Sequence, residues 1–168
     1  MEPAKLAAKS PAPKEHRLKM SCTAPIDCER EIIAPVRVLI GCQVDVFHAR
    51  QHGREYAMKL GFSASDVTLI AASISEIARN MVDYAQRGEI TFSAIENDAG
   101  QRGMLIVGND EGPGISDVNQ ALRYGCSTRK GLGVGLPGAK WLMDDFQLQS
   151  EPGCGTSVQM VKWLPIGA

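Results

Sequence analysis

The 168 residues fit one domain of ordinary size, and the 44% apolar and 22% charged fractions are those of a globular chain. A net charge of −1 excludes the basic field that drives nucleic-acid binding. No apolar run approaches the ~20 residues of a membrane span, and the N-terminus carries no hydrophobic signal core for secretion.

Residues 1–30 read as a disordered tail: MEPAKLAAKSPAPKEHRLK mixes Pro, Ala and Lys with few large apolar side chains, so burial cannot offset the entropy of ordering it. Residues 31–168 are expected to form one domain. Val36 to Ile40, β-branched and bounded by Pro35 and Gly41, predicts a strand. A helix is expected from Asp45 to Leu60, with Val46, Ala49, Gly53, Ala57 and Leu60 on one face and Gly61 as its stop. A second, capped by Ser65 or Asp66, carries Val67, Ile70, Ala71, Ile74, Ile77, Ala78, Met81 and Val82 at helical spacing and should reach Ala85. Strands follow at Glu89–Glu96 and Met104–Gly108, joined through Asn97–Gly103 as a hairpin. A helix over Val134–Asp144 and two strands, Phe146–Ser150 and Thr156–Leu164, complete the chain. Hairpins with helices between them predict an α/β, two-layer sandwich: a mixed, mostly antiparallel sheet with helices on one face.

The five cysteines, Cys22, Cys28, Cys42, Cys126 and Cys154, are odd in number and lack a C-x-x-C pair, which argues against a disulfide framework and for a reducing cytosol. Cys22 and Cys28 lack partners for a metal, and His48 and His52, four apart on the first helix, lack a third ligand. Trp141 and Trp163 read as core or partner-face aromatics.

Four short features carry chemistry. Glu76 and Asn80 are four apart and share a helix face, so a carboxylate and an amide oxygen stand side by side, a pairing suited to Mg²⁺ and proton removal. Asp110-Glu-Gly-Pro-Gly114 follows an apolar strand; an acid at a strand end can accept from an exocyclic amine, and its glycines let a flat ring approach the backbone. Gly131-Leu-Gly-Val-Gly135 runs into a helix, where amides and the positive dipole end suit phosphate. Gly153-Cys-Gly-Thr156 joins the last two strands. Each alone reads more readily as an ordinary polar helix face or a turn.

Their order and intervals are more specific: 30 residues from Asn80 to Asp110, 21 on to Gly131 and 22 more to Gly153. Together they resemble the four nucleotide-binding boxes of the GHKL ATP-binding superfamily over about Val36 to Leu164, which implies the Bergerat fold. Within it, Ile74-Ser-Glu-Ile-Ala-Arg-Asn80, Asp110-Glu-Gly-Pro-Gly-Ile115, the run from Gly131 to Asp144 and the ending Val161-Lys-Trp-Leu164 are similar to the anti-sigma regulatory serine/threonine kinases, in particular the stressosome switch-kinase branch, with a short lid from about Ser116 to Lys130.

The resemblance implies ATP with Mg²⁺, a cytoplasmic location and phosphoryl transfer to a STAS-domain antagonist or scaffold protein. A phosphatase, a sigma factor and a homodimer stay open as further partners. By the same resemblance Glu76 is the general base and Asn80 the Mg²⁺ ligand. Asp110 reads the adenine amine, Gly112 and Gly114 line the base pocket, and Thr156 supports Asp110. Gly131, Gly133 and Gly135 close over the phosphates, with Arg129 and Lys130 beside the γ-phosphate. Arg79 is expected to point elsewhere, to a surface or partner contact. The alternative is an ATP-binding anti-sigma module that sequesters its partner with little kinase activity. A histidine-kinase catalytic domain is disfavoured, because no phosphoacceptor hairpin is read before the domain and His48 lacks the acid-and-proline surround.

Overall fold

Val36, Val38 and Ile40 alternate with Arg37 and Leu39 along β1 (Val36–Ile40), which turns one apolar face inward. This computed structural model describes residues 33–123 and 135–166; the expected tail, Cys22, Cys28, Cys126, Arg129, Lys130, Gly131, Gly133 and Val134 lie outside the described residues.

Helix α1 (Gln43–Leu60) starts two residues before the expected Asp45, because Asp45 itself completes the cap. Its Oδ2 accepts from the amides of Gly41 and Cys42, both at 2.9 Å, and from Cys42 Sγ at 3.2 Å. These donors, the Gly41 amide foremost, hold its carboxyl below the ordinary carboxylate range. Gly61 ends the helix at φ 94°. Helix α2 (Ala64–Asn80) is capped by Ser63, not by Ser65 or Asp66: the Asp66 amide donates to Ser63 Oγ at 3.1 Å. Ser63 and Asp66 thus form a Ser-x-x-Asp start, with the acid in the first turn rather than at the cap. The helical path continues to Ala85 as expected, but Met81–Ala85 is a single π turn, closed where the Gln86 amide donates to Met81 O at 2.8 Å.

Strands β2 (Gly88–Glu96) and β3 (Arg102–Asp110) form the expected hairpin, and β4 (Asp145–Ser150) and β5 (Thr156–Trp163) a second. Between the hairpins come α3 (Val118–Ala121), a short turn capped by Asp117 in a stretch expected to be loop, and α4 (Gly135–Leu142). The sheet order is β1-β2-β3-β5-β4, and every pairing is antiparallel. The sheet was expected to be mixed and mostly antiparallel; among the described residues it has no parallel pair, for a topological reason. Two helices separate β1 from β2, so the chain returns antiparallel. β3 and β4 each pair antiparallel with β5, so they run in the same direction, but β5 lies between them.

The sheet's inward face presents Ile90, Phe92, Met104, Ile106, Val158 and Met160, all buried, to Ile70, Ile74 and Ile77 of α2 and to Ala49, Tyr56 and Ala57 of α1. Each large side chain buried here contributes roughly 1.5–3 kcal/mol of transfer free energy, so the helices are held on one face by this layer and the α/β sandwich stands. Ile95 falls out of phase with Ile90 and Phe92: it is half-buried on the outer face. Trp141 is 78% exposed and so outside the core. Trp163 lies half-buried on the outer face, where its indole N–H donates to Asp145 Oδ2 at 3.0 Å. Among the described residues no helix is long and apolar enough to cross a membrane.

Candidate functional site

One cavity of about 530 Å³ opens where the C-terminal end of α2, its π turn, the end of β3 and the start of β5 converge, with α3 and the first turn of α4 across from them. Its wall includes Asn80, Asp110, Gly114, Gly135 and Thr156, five of the expected site residues. They come from five separate elements or turns, at positions 80 to 156 of the chain. The volume falls within the range of roughly 300–1,000 Å³ common to small-molecule sites.

Asp110 sits on the inward face at the last rung of β3, opposite Gly88 on one side and Thr156 on the other. Its Oδ1 accepts from the Gly112 amide at 2.9 Å and the Thr156 amide at 3.2 Å. Both bonds use the same oxygen and fix the carboxylate plane, and Oδ2 has no protein donor among the described residues. Thr156 therefore supports Asp110 through its backbone, while its hydroxyl lies 3.0 Å from Ser150 Oγ. Ser150 lies outside the wall and braces it: its Oγ donates to Gly155 O and accepts from the Ile115 amide, both at 2.8 Å.

The glycines divide by role. A Cβ on Gly155 would stand 2.0 Å from Asp110 O, and one on Gly114 would stand 2.1 Å from Glu151 O; both residues also have positive φ, 80° and 72°. These two positions admit only glycine, and they let the segment after β3 lie flat against the β4–β5 turn. Gly112 is not in the cavity wall. It packs on the π turn, where an added Cβ would meet Ala85 Cβ at 2.7 Å, because the bond to Asp110 Oδ1 folds the loop toward that turn.

Glu76 lies one helical turn before Asn80, beside the cavity but not in its wall. Its side chain is 13% exposed. Its Oε2 accepts from the Gly135 amide at 3.2 Å, and its Oε1 is 2.9 Å from Arg79 Nη1. The expectation that Arg79 points elsewhere is corrected: residues three apart on a helix are neighbours, and this guanidinium reaches back to the carboxylate. Arg129, Lys130, Gly131 and Gly133 fall outside the described residues.

Sequence reasoning missed several wall residues. Tyr84 stands four after Asn80 and shares its face, a spacing that could have marked it. Ile77 and Met81, expected on the apolar face of the helix, serve both the core and the wall. Ile115, Arg123, Leu136 and Pro137 carry no signal of their own; only the convergence of the elements brings them to the cavity.

The histidine kinase-like ATPase domain family matches residues 43–162. The serine/threonine-protein kinase RsbT of Bacillus subtilis (strain 168) is 46% identical over 127 residues, covering 76% of this chain and 95% of RsbT. The anti-sigma F factor of Caldanaerobacter subterraneus subsp. tengcongensis is 29% identical over 112 residues, covering 65% of this chain and 78% of that protein. Among solved structures, the SiaB-SiaC complex from Pseudomonas aeruginosa aligns at TM-score 0.44 and 12% identity, over 79% of this chain and 91% of that one.

Proposed function

The chain belongs to the histidine kinase-like ATPase family, and from that premise we propose that it is an ATP-dependent serine/threonine protein kinase whose substrate is a STAS-domain antagonist or scaffold protein in a partner-switching pathway. The observation that carries this reading is the cavity itself. It joins an acid at a strand end, Asp110, to a helix-borne amide, Asn80, and the Glu76 carboxylate stands beside its wall one helical turn before Asn80. The 46% identity to a serine/threonine kinase supports the same reaction class.

The residues fit a magnesium nucleotide. Asp110 keeps Oδ2 for a donor such as the exocyclic amine of adenine, at the end of the cavity flanked by Gly114 and Thr156. Asn80 supplies the hard oxygen a Mg²⁺ ion prefers. Gly135, at φ 63° where α4 begins, lines the wall and donates its backbone amide to Glu76 Oε2. Bound Mg²⁺ would neutralise charge on the phosphates and bridge them to the protein. Glu76 takes the proton from the acceptor hydroxyl; the hydroxyl oxygen forms a bond to the γ-phosphorus, the bond to the β-phosphate oxygen breaks, and ADP leaves. Positioning and charge neutralisation account for most of the catalysis in such a transfer. The use of ATP, which the cytoplasm supplies, supports a cytoplasmic location for this activity.

The 29% identity to an anti-sigma factor favours a second reading, in which the chain holds a sigma factor and transfers little phosphate. Incubation with γ-labelled ATP, Mg²⁺ and a panel of purified STAS-domain proteins separates the two. The kinase reading expects phosphoserine or phosphothreonine on one of them. Nucleotide binding without any such product supports sequestration. A Glu76→Ala variant is expected to keep nucleotide binding and lose at least a hundredfold in transfer rate; full retained transfer removes Glu76 as the base.

A further inference from the structure

We propose that Arg79 is a positioning residue, whose guanidinium holds the Glu76 carboxylate in the orientation from which it takes the acceptor's proton. This rests on the kinase reading above.

The two oxygens of Glu76 are held from two directions. Arg79 Nη1 takes Oε1 at 2.9 Å from within α2, and the Gly135 amide takes Oε2 at 3.2 Å from the start of α4. The first bond is short and charge-assisted; the second is long and comes from a neutral donor. A glutamate has three side-chain torsions, and the weaker bond alone leaves them only loosely set. Arg79 therefore carries most of the restraint. Helix geometry makes this the arrangement available: residue 79 is three beyond 76 and reaches back over the turn that Glu76 occupies, while Asn80, four beyond, stands in the cavity wall.

Exposure divides the pair. Arg79 is 46% exposed at its side chain, so as a surface ion pair it adds little to folding. Glu76 is 13% exposed, so its direction is set almost wholly by what the protein places beside it. Removing Arg79 should leave the fold and the nucleotide site intact and slow the chemical step. A proton acceptor displaced by a fraction of an ångström loses rate without losing ground-state binding.

The experiment compares the full-length wild type with Arg79→Ala and Arg79→Lys, using the STAS-domain substrate found with the labelled panel. Arg79→Ala should lower kcat about tenfold, with the ATP dissociation constant and melting temperature unchanged. Arg79→Lys should recover kcat to within about threefold of wild type, because the contact uses one guanidinium nitrogen and an ammonium can replace it. A kcat within twofold of wild type in Arg79→Ala overturns the proposal. So does a rise in KM alone, which would assign Arg79 to binding, and so does a Lys variant as slow as the Ala variant.

If the wild type transfers no phosphate to any protein, the kinase reading fails, and a second measurement still decides the role of Arg79. The ¹³Cδ resonance of Glu76, recorded with Mg²⁺ and ADP present, should move in Arg79→Ala and stay near its wild-type position in Arg79→Lys. An unmoved resonance in Arg79→Ala means that the guanidinium does not set the carboxylate.

Discussion

Tyr56 meets two backbone requirements with one hydroxyl. Ala94 lies beyond the last β1–β2 pair, Val36 with Phe92, so its amide has no strand partner; it donates instead to Tyr56 Oη at 2.9 Å. The same hydroxyl donates to Ile33 O at 3.3 Å, tying the entry of the chain to α1. Tyr56→Phe keeps the ring and removes both bonds, and is expected to cost about 1–2 kcal/mol in urea unfolding. Burial raises the Tyr56 phenol above its ordinary 10.0. A raised folded-state value means that the folded chain holds the proton more tightly than the unfolded one. The associated stability is complete below pH 10.0 and is lost as pH rises through the folded-state value. Wild-type stability should therefore fall in alkaline titration above pH 10.0, and the Phe variant should lack that component of the fall.

At the scale of elements, the site depends on turns more than on helices. The β4–β5 turn carries two glycines at the same φ of 80° with different surroundings. Around Gly153 an added Cβ meets nothing within 4 Å, whereas on Gly155 it meets Asp110 O at 2.0 Å. Gly153→Ala should cost about 1 kcal/mol, the left-handed backbone penalty alone. Gly155→Ala adds a clash of backbone on backbone and should cost about 3 kcal/mol or more. It should also weaken nucleotide binding, because it pushes Asp110 off the Thr156 amide. Thermal melts and a nucleotide titration on both variants check the ordering; equal losses would mean that the close approach does not matter. The π turn acts similarly at the other wall. Its extra residue per turn brings Tyr84 and Ala85 round to the cavity while Ala85 receives Gly112.

For the molecule as a whole, the cavity is built from α2, β3, β5, α3 and α4 together, so a ligand bound there ties elements from Ile77 to Val158. Mg²⁺ and ATP at about a hundred times the dissociation constant should stabilise the chain by about 2.7 kcal/mol, read as a higher melting temperature. Excess EDTA should remove most of that gain without lowering the melt of the nucleotide-free chain. Asp110→Asn retains an oxygen for the Gly112 and Thr156 amides but loses the charge offered to the base. It should lower affinity at least tenfold at little cost in stability; unchanged affinity would remove Asp110 from base recognition.

Periodicity and turn chemistry in the chain itself determined the two long helices, both hairpins and the apolar layer, because burial imposes a spacing of about 3.6 residues on a helix and two on a strand. The order of Glu76, Asn80, Asp110 and the glycine turns was likewise legible, and it placed five residues in one wall. Tertiary structure alone decided the rest. The antiparallel sheet follows from β5 slotting between β3 and β4, Gly112 turns to Ala85 rather than to the cavity, and Arg79 reaches back to Glu76. These depend on which surfaces meet after collapse, and a linear pattern records which face a residue occupies but not what lies across from it.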